Sequence, residues 1–148
     1  MQYVVQPSTV AAAAVTVPGD KSISHRALML GGIARGRTRI SGFLAGADCL
    51  ATLAAMQAMG VAVARERPTE VVIDGLGLQG LHAPSGPLDL GNSGTAMRLM
   101  TGLLCGQPFD SVLTGDASLT ARPMQRVITP LEAMGAAIDS RDGRPPLT

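Results

Sequence analysis

Three short stretches hold the residues whose types and spacing can do chemistry. The first, PGDKSISHR (18–26), contains Lys21, the single lysine among 12 basic side chains. An ammonium on a flexible stem can turn between two partners, whereas a guanidinium is a rigid planar fork. The position therefore suits an anion that changes shape during a reaction. Pro18-Gly19 turns the chain after an extended run, and a helix is predicted from about Ser22. A helix N-terminus offers free N–H groups and a positive dipole end. Ser22 can serve there as both cap and hydroxyl donor, and Arg26, four residues on, shares its face. Lys21, Ser22 and Arg26 thus converge on one point, where each charge-assisted bond to an anion would contribute about 1.5–3 kcal/mol. The plainer reading is a capped helix with solvated basic residues.

The second stretch, GNSGTAMR (91–98), supplies another helix start. Asn92 or Ser93 can cap it, Gly94 leaves room for a ligand against backbone N–H groups, and Thr95 lies in the same loop. Arg98 reads as a structural ion pair. The third, GDASLTARP (115–123), is a polar loop that places Arg122 just before a helix, either as a bidentate clamp on a carboxylate or phosphate or as a surface arginine. Asp48, in GADCL, reads more readily as a helix cap than as a catalytic group. Asp20 and Asp116 read as turn residues, and His25 and His82 have no recognisable partner. The pattern GLGLQG (75–80) matches a dinucleotide fingerprint, but the prolines and glycine after it leave no helix for it to open. A phosphate-binding loop of the Walker type fails because Asp20 stands where Gly must precede Lys-Ser. The residues offer several anion-binding groups, no acid–base pair and no metal-ligand spacing.

Composition fits this small-molecule reading. At 148 residues, 46% apolar and 16% charged, the chain is globular rather than disordered and of one-domain size. A net charge of +1 and only three aromatic side chains, Tyr3, Phe43 and Phe109, argue against nucleic acid, whose binders carry a basic excess and stacking rings. The apolar run AAAAVTV has no basic segment before it and is too short to span a membrane. Cys49 and Cys105 lie in apolar, helix-like contexts and read as two buried free thiols in a cytoplasmic protein.

The elements that must position these residues occur twice. Gly19 and Gly91 each stand seven residues before an arginine and are 72 apart, Gly42 and Gly115 are 73 apart, and Gly60 and Gly135 are 75 apart. Landmarks so evenly spaced mark an internal repeat of one supersecondary unit. The unit reads strand, helix, strand, helix, strand, strand. In the first copy these fall at 11–17, 22–34, 37–41, 48–59, 61–66 and 70–74. In the second, Pro123 suits a first helical turn, and Met124, Val127, Ile128, Leu131 and Met134 form an apolar stripe at helical spacing that reads as core. ALMLGGIA and LMTGLLC are apolar nearly all round, which predicts helices buried on every side, with Gly31, Gly32 and Gly102 allowing close backbone approach and sheets outside. The second copy stops near Thr148, at a repeat boundary.

At PGDKSISHRAL, GNSGTAMRL and LTGDASLTARPM the chain resembles the 5-enolpyruvylshikimate-3-phosphate synthase family, as the N-terminal third of a member. The resemblance implies an α/β fold of repeated βαβαββ units, an inside-out barrel present here in part. Residues 1–18 would be leading strands partly shared with the other domain, and 19–148 about two units of a truncated N-terminal domain. It implies transfer of the enolpyruvyl group of phosphoenolpyruvate to the 5-hydroxyl of shikimate 3-phosphate, through a tetrahedral intermediate, with release of phosphate and with no metal or organic cofactor. Lys21 resembles the lysine that contacts both substrates, and is the candidate catalytic residue. Ser22 and Arg26 resemble binders of shikimate 3-phosphate, and Gly94 and Arg122 binders of phosphoenolpyruvate, with Asn92, Thr95 and Asp48 as further candidates. The family's acid–base groups lie beyond Thr148, so the chain alone is expected not to turn over. Its GDKS and GDASLTxRP forms resemble a subgroup often tolerant of glyphosate, in some members of which Ala stands where this chain has Gly94.

The resemblance also implies a full-length monomer, in the cytoplasm, that binds neither nucleic acid nor membrane, while the fragment is expected to self-associate through unpartnered helix faces. Two rivals remain at this stage. One is the related transferase acting on UDP-N-acetylglucosamine, which carries Lys-Asn where this chain has Lys21-Ser22. The other is a non-catalytic anion-binding module.

Overall fold

The computed structural model describes residues 2–7 and 14–148. The chain runs α1 (Lys21–Ile33), β1 (Arg35–Ser41), α2 (Ala47–Ala58), β2 (Ala62–Arg67) and β3 (Glu70–Leu76). It continues β4 (Leu88–Asp89), α3 (Gly94–Leu104), β5 (Leu113–Thr114), α4 (Ala117–Thr120), α5 (Gln125–Ala133), β6 (Ser140–Arg141) and β7 (Arg144–Leu147).

The repeat is visible in the sheets. One sheet has the order β1-β3-β2 and the other β4-β5-β7-β6, so β1-β3-β2 and β5-β7-β6 are the same arrangement made twice. All pairings are antiparallel except that of β4 with β5. The second unit is a full βαβαββ with the short α4 inserted. In the first, residues 11–13 of the predicted leading strand lie outside the described residues, and 14–17 carry no strand pairing. With no strand laid beside it, an extended segment has no ladder to join, and Val15 and Val17 are 80% and 76% exposed.

The pattern of each element explains its face. In β3 the run Val71, Val72, Ile73 is buried, while across the register β1 sets Arg37 opposite Asp74. Arg37 Nε donates to Asp74 Oδ1 at 2.7 Å, and Arg39 pairs with Glu66, so the alternating arginines lie on the outer surface. On the inner side, a Cβ at Gly31 would stand 2.9 Å from Ile73 Cδ1, and one at Gly32 would collide with Met56. These glycines let α1 lie close against both sheet and α2. Gly102 makes no such approach, since it faces open space.

The helices meet one another inside, with the sheets outside. Their burial is one-sided, however. In α1, His25, Leu28, Met29 and Gly32 are buried at helical spacing, whereas Ile23 and Leu30 are 68% and 62% exposed. An apolar sequence all round does not bury a helix where no neighbour covers its second face. Between α1 and α3 lies an apolar groove of about 520 Å³, lined by residues including Met29, Leu30, Leu99 and Leu103.

Other expectations are corrected locally. Met124 and Ile128 are core, but Met134, at the end of α5, is 76% exposed. Pro123 precedes α5 rather than opening it. Cys49 is buried, but Cys105, just past α3, is exposed. Both helices that were predicted to end at Gly60 and Gly135 do so, with φ of +92° and +98°, the left-handed turn a glycine makes without strain.

Candidate functional site

The first helix start is fixed by Asp20, not Ser22. Asp20 Oδ1 accepts a hydrogen bond from the Ile23 N–H at 2.7 Å, which makes the carboxylate the N-cap and starts α1 at Lys21. Ser22 therefore sits inside the first turn, exposed, where its hydroxyl is not committed to the cap. Ser24, buried, donates to the Asp20 carbonyl at 2.7 Å and accepts from the Leu44 N–H at 3.0 Å. That pair of bonds pins the turn before the helix to the loop after β1. A Cβ at Gly19 would collide with the Gly42 carbonyl oxygen, and in the second unit one at Gly115 would collide with that of Gly91. The equivalent pair of glycines thus meets closely in both units, with the roles of the two exchanged.

Lys21 forms an ion pair with Asp48. Asp48 is in the first turn of α2 but is not its cap; Gly46 occupies that position. The carboxylate's role in this structure is to hold the lysine ammonium beside the start of α1. Arg26 folds back along its helix, donating from Nη1 to the Ser22 carbonyl at 3.1 Å.

The second helix start is capped by Ser93, whose Oγ accepts from the Ala96 N–H at 3.1 Å. Asn92 is freed to bridge two other groups. Its Nδ2 donates to Asp116 Oδ2 at 2.8 Å, and its Oδ1 accepts from Arg122 Nη2. Arg122 also donates to Ser118 Oγ at 3.3 Å. Asp116 in turn caps α4 by accepting from the Leu119 N–H at 2.7 Å. The Asn92 amide and then the Leu119 N–H hold the Asp116 carboxyl below its ordinary range. Thr95 is half-buried in the first turn of α3.

Gly94 stands between two guanidiniums. A Cβ there would lie 2.8 Å from Arg98 Nη1 and 3.0 Å from Arg122 Nη1. Arg98 makes no ion pair, contrary to expectation. It donates to the carbonyls of Gly94 and Pro123 at 2.8 and 3.4 Å. Among the described residues none of Arg26, Arg98 and Arg122 is paired with a carboxylate, so these cations are satisfied by neutral oxygens that an anion can outbid.

The two helix starts are joined inside by a residue that the sequence left without a partner. His25 is fully buried, with Nδ1 2.7 Å from Thr52 Oγ1 of α2 and Nε2 3.3 Å from the cap Ser93 Oγ of α3. Burial is the chief reason its pKa lies below 6.5. The signal was present in the repeat, since a shift of 72 lays His25 on Met97, which is also fully buried. His82 is exposed. No group of three or more His, Cys, Asp or Glu among the described residues is placed to hold a metal ion, and none of the described helices is long and apolar enough to cross a membrane.

Comparison with known proteins assigns the chain to a family. The chain is 60% identical, along its whole length, to 3-phosphoshikimate 1-carboxyvinyltransferase of Alkalilimnicola ehrlichii, of which it covers 33%. It is 62% identical over 136 residues to the protein of that name from Methylococcus capsulatus, covering 90% of this chain and 31% of that one. The chain thus spans about a third of the length of the curated relatives it matches. An EPSP synthase from Acinetobacter baumannii superposes with a TM-score of 0.85 at 54% identity, over 90% of this chain and 31% of that one. The family described as EPSP synthase (3-phosphoshikimate 1-carboxyvinyltransferase) matches residues 5–148, and the chain belongs to it.

Proposed function

We propose that this chain supplies the anion-binding part of an enzyme that transfers the enolpyruvyl group of phosphoenolpyruvate to shikimate 3-phosphate. The observation that carries the proposal is Gly94 held between Arg98 and Arg122 at the start of α3, with neither guanidinium ion-paired. Phosphoenolpyruvate carries a carboxylate and a phosphate on a three-carbon frame. Arg122 offers a fork to one of them, and Gly94 lets the other approach the Thr95 N–H and the positive end of the α3 dipole, the Gly94, Ala96 and Met97 N–H groups being already bonded. Asn92 sets the Arg122 fork, and Thr95 adds a hydroxyl in the same turn.

At the other start, Ser22 and Arg26 take the phosphate of shikimate 3-phosphate, aided by the dipole of α1. Lys21 lies at that start and is held by Asp48. The 5-hydroxyl gives up its proton as its oxygen bonds to C2 of the enolpyruvyl group and C3 takes up a proton; C3 then loses a proton as the C2–O bond to phosphate breaks, so negative charge moves between the two substrates. The Lys21 ammonium can leave Asp48 and follow that charge, stabilising it electrostatically as it develops. Asp48 then acts as its resting counter-ion. The family assignment favours neither the UDP-N-acetylglucosamine reading nor a non-catalytic module. The two free cysteines are in keeping with a reducing cytoplasm.

The test is a titration of the chain with shikimate 3-phosphate, with shikimate as control, followed by backbone amide resonances. Shifts at 19–26 with the phosphorylated ligand only, and at 92–95 once phosphoenolpyruvate is added as a second ligand, are the expected result. A folded chain in which neither segment responds would refute substrate binding by these two helix starts alone.

A further inference from the structure

We propose that His25 is a positioning residue that holds the starts of α1 and α3 at one fixed spacing, and with them the two substrate half-sites. The hydrogen bonds around the ring can run in one continuous direction. Ser93 Oγ accepts from the Ala96 N–H, so its own hydrogen is free for His25 Nε2 at 3.3 Å. Thr52 Oγ1 donates to the Asp48 carbonyl at 3.3 Å, so it accepts from His25 Nδ1–H at 2.7 Å. A neutral ring protonated on Nδ1 satisfies every group in this chain of bonds. With Nε2 protonated instead, Thr52 donates to Nδ1 and gives up its bond to the Asp48 carbonyl, and Ser93 Oγ accepts from both Ala96 and the ring while donating to neither, so the Nδ1-protonated form makes more of these bonds.

The ends of this chain are the residues that matter. Ser93 adjoins Gly94, and its cap bond sets the turn that presents the first N–H groups of α3. Thr52 lies one turn after Asp48, and Asp48 holds Lys21. His25 itself is one residue before Arg26. One buried imidazole therefore touches the cap of the phosphoenolpyruvate side and the support of the Lys21 side. A hydrophobic side chain would fill the same space, as Met97 does at the equivalent place in the second unit, without tying the helices. The choice of His over Met here is what buys registration.

This inference rests on the proposed function, and its test separates the two. His25→Met removes both bonds and keeps the volume; His25→Gln keeps an acceptor for Ser93. Amide hydrogen exchange is followed at Ala96 and at core amides of β3, and phosphoenolpyruvate and shikimate 3-phosphate are titrated into each chain. In His25→Met, exchange at Ala96 is expected to rise about tenfold while the β3 amides stay protected, and both ligands to bind about tenfold more weakly, the scale of losing one or two buried hydrogen bonds. His25→Gln is expected to recover Ala96 protection and phosphoenolpyruvate binding. A folded His25→Met with Ala96 exchange and both affinities unchanged would overturn the proposal, as would a uniform rise in exchange at Ala96 and β3 alike, which marks simple loss of packing. If the unmodified chain binds neither ligand, the substrate reading fails, and the exchange comparison still decides whether His25 sets the α3 start.

Discussion

Lys21 is paired with Asp48 across the gap between α1 and α2, the lysine side chain 49% exposed and the carboxylate 22% exposed. An ion pair this open contributes little to folding, about 0–1 kcal/mol. The same ammonium, offered to a bound phosphate beside a helix dipole, contributes about 1.5–3 kcal/mol. Lys21→Ala should therefore leave the unfolding midpoint nearly unchanged while weakening shikimate 3-phosphate binding at least about tenfold. Lys21→Arg should recover only part of this, since the fork cannot swing as the ammonium does. Calorimetric titration alongside denaturant unfolding checks both. A Lys21→Ala chain that binds normally would remove Lys21 from the site.

Gly94→Ala separates the needs of the helix from those of the ligand. Gly94 has no left-handed φ, so alanine meets no backbone strain. In the first turn it should stabilise the helix by up to about 1 kcal/mol. The new methyl, however, would stand 2.8 Å from Arg98 Nη1 and 3.0 Å from Arg122 Nη1. Both are the ends of flexible side chains and can move away, so the fold survives. The guanidiniums then leave the point at which they converge. Phosphoenolpyruvate affinity should fall about tenfold or more, with shikimate 3-phosphate affinity changed less than about threefold. Equal losses for the two ligands would contradict separate half-sites.

Much of this arrangement is legible in the sequence because it is local. The helix starts follow from turn and cap residues, the repeat from glycines 72 to 75 apart, and β1, β2 and β3 from their β-branched and alternating runs. What is not legible depends on which neighbour arrives. Asp20 displaces Ser22 as cap because a side chain two positions earlier reaches the Ile23 N–H. Asp48 serves as a counter-ion because α2 docks beside α1, and Arg98 finds carbonyls rather than a carboxylate. His25 gains partners 27 and 68 residues away. The exposed faces of α1 fail the all-round apolar rule for the same reason: burial belongs to pairs of elements, and periodicity describes only one.

The buried imidazole makes stability depend on pH. Burial lowers the His25 pKa below 6.5, and among the charged groups around it Lys21 and Arg26 of α1 add to this while Asp48 of α2 opposes it. α3 presents the uncharged Ser93. Below pH 6.5 the unfolded chain takes up a proton that the folded chain refuses. Stability is thus fully present above 6.5, falls as pH drops through the window between the unfolded and folded values, and levels off below it. The denaturant midpoint should be lower at about pH 5.5 than at about pH 7.5, and His25→Met should lose that part of the difference. A His25→Met chain with the same pH slope would place the dependence elsewhere.

The groove between α1 and α3 should make the chain associate with itself. Leu30 and Leu78 line it at 62% and 66% exposure, and Met29, Leu99 and Leu103 form its floor. Contiguous apolar surface of this kind is uncommon on a monomer and drives contact. A second copy carries the same surface, so the interaction is self-complementary and needs no other partner. Burying roughly 100 Å² of apolar area contributes about 2.5 kcal/mol, and several such side chains must be covered before the entropic cost of association is offset. The expected association is therefore weak and concentration-dependent rather than a tight dimer. Light scattering should show the average mass rising with concentration in the micromolar range and above. Leu78→Glu puts a charge in the groove from the loop after β3, off α1 and outside both helix starts, so it should hold the mass at the monomer value and leave shikimate 3-phosphate binding unchanged. A constant monomer mass in the unmodified chain would overturn this expectation.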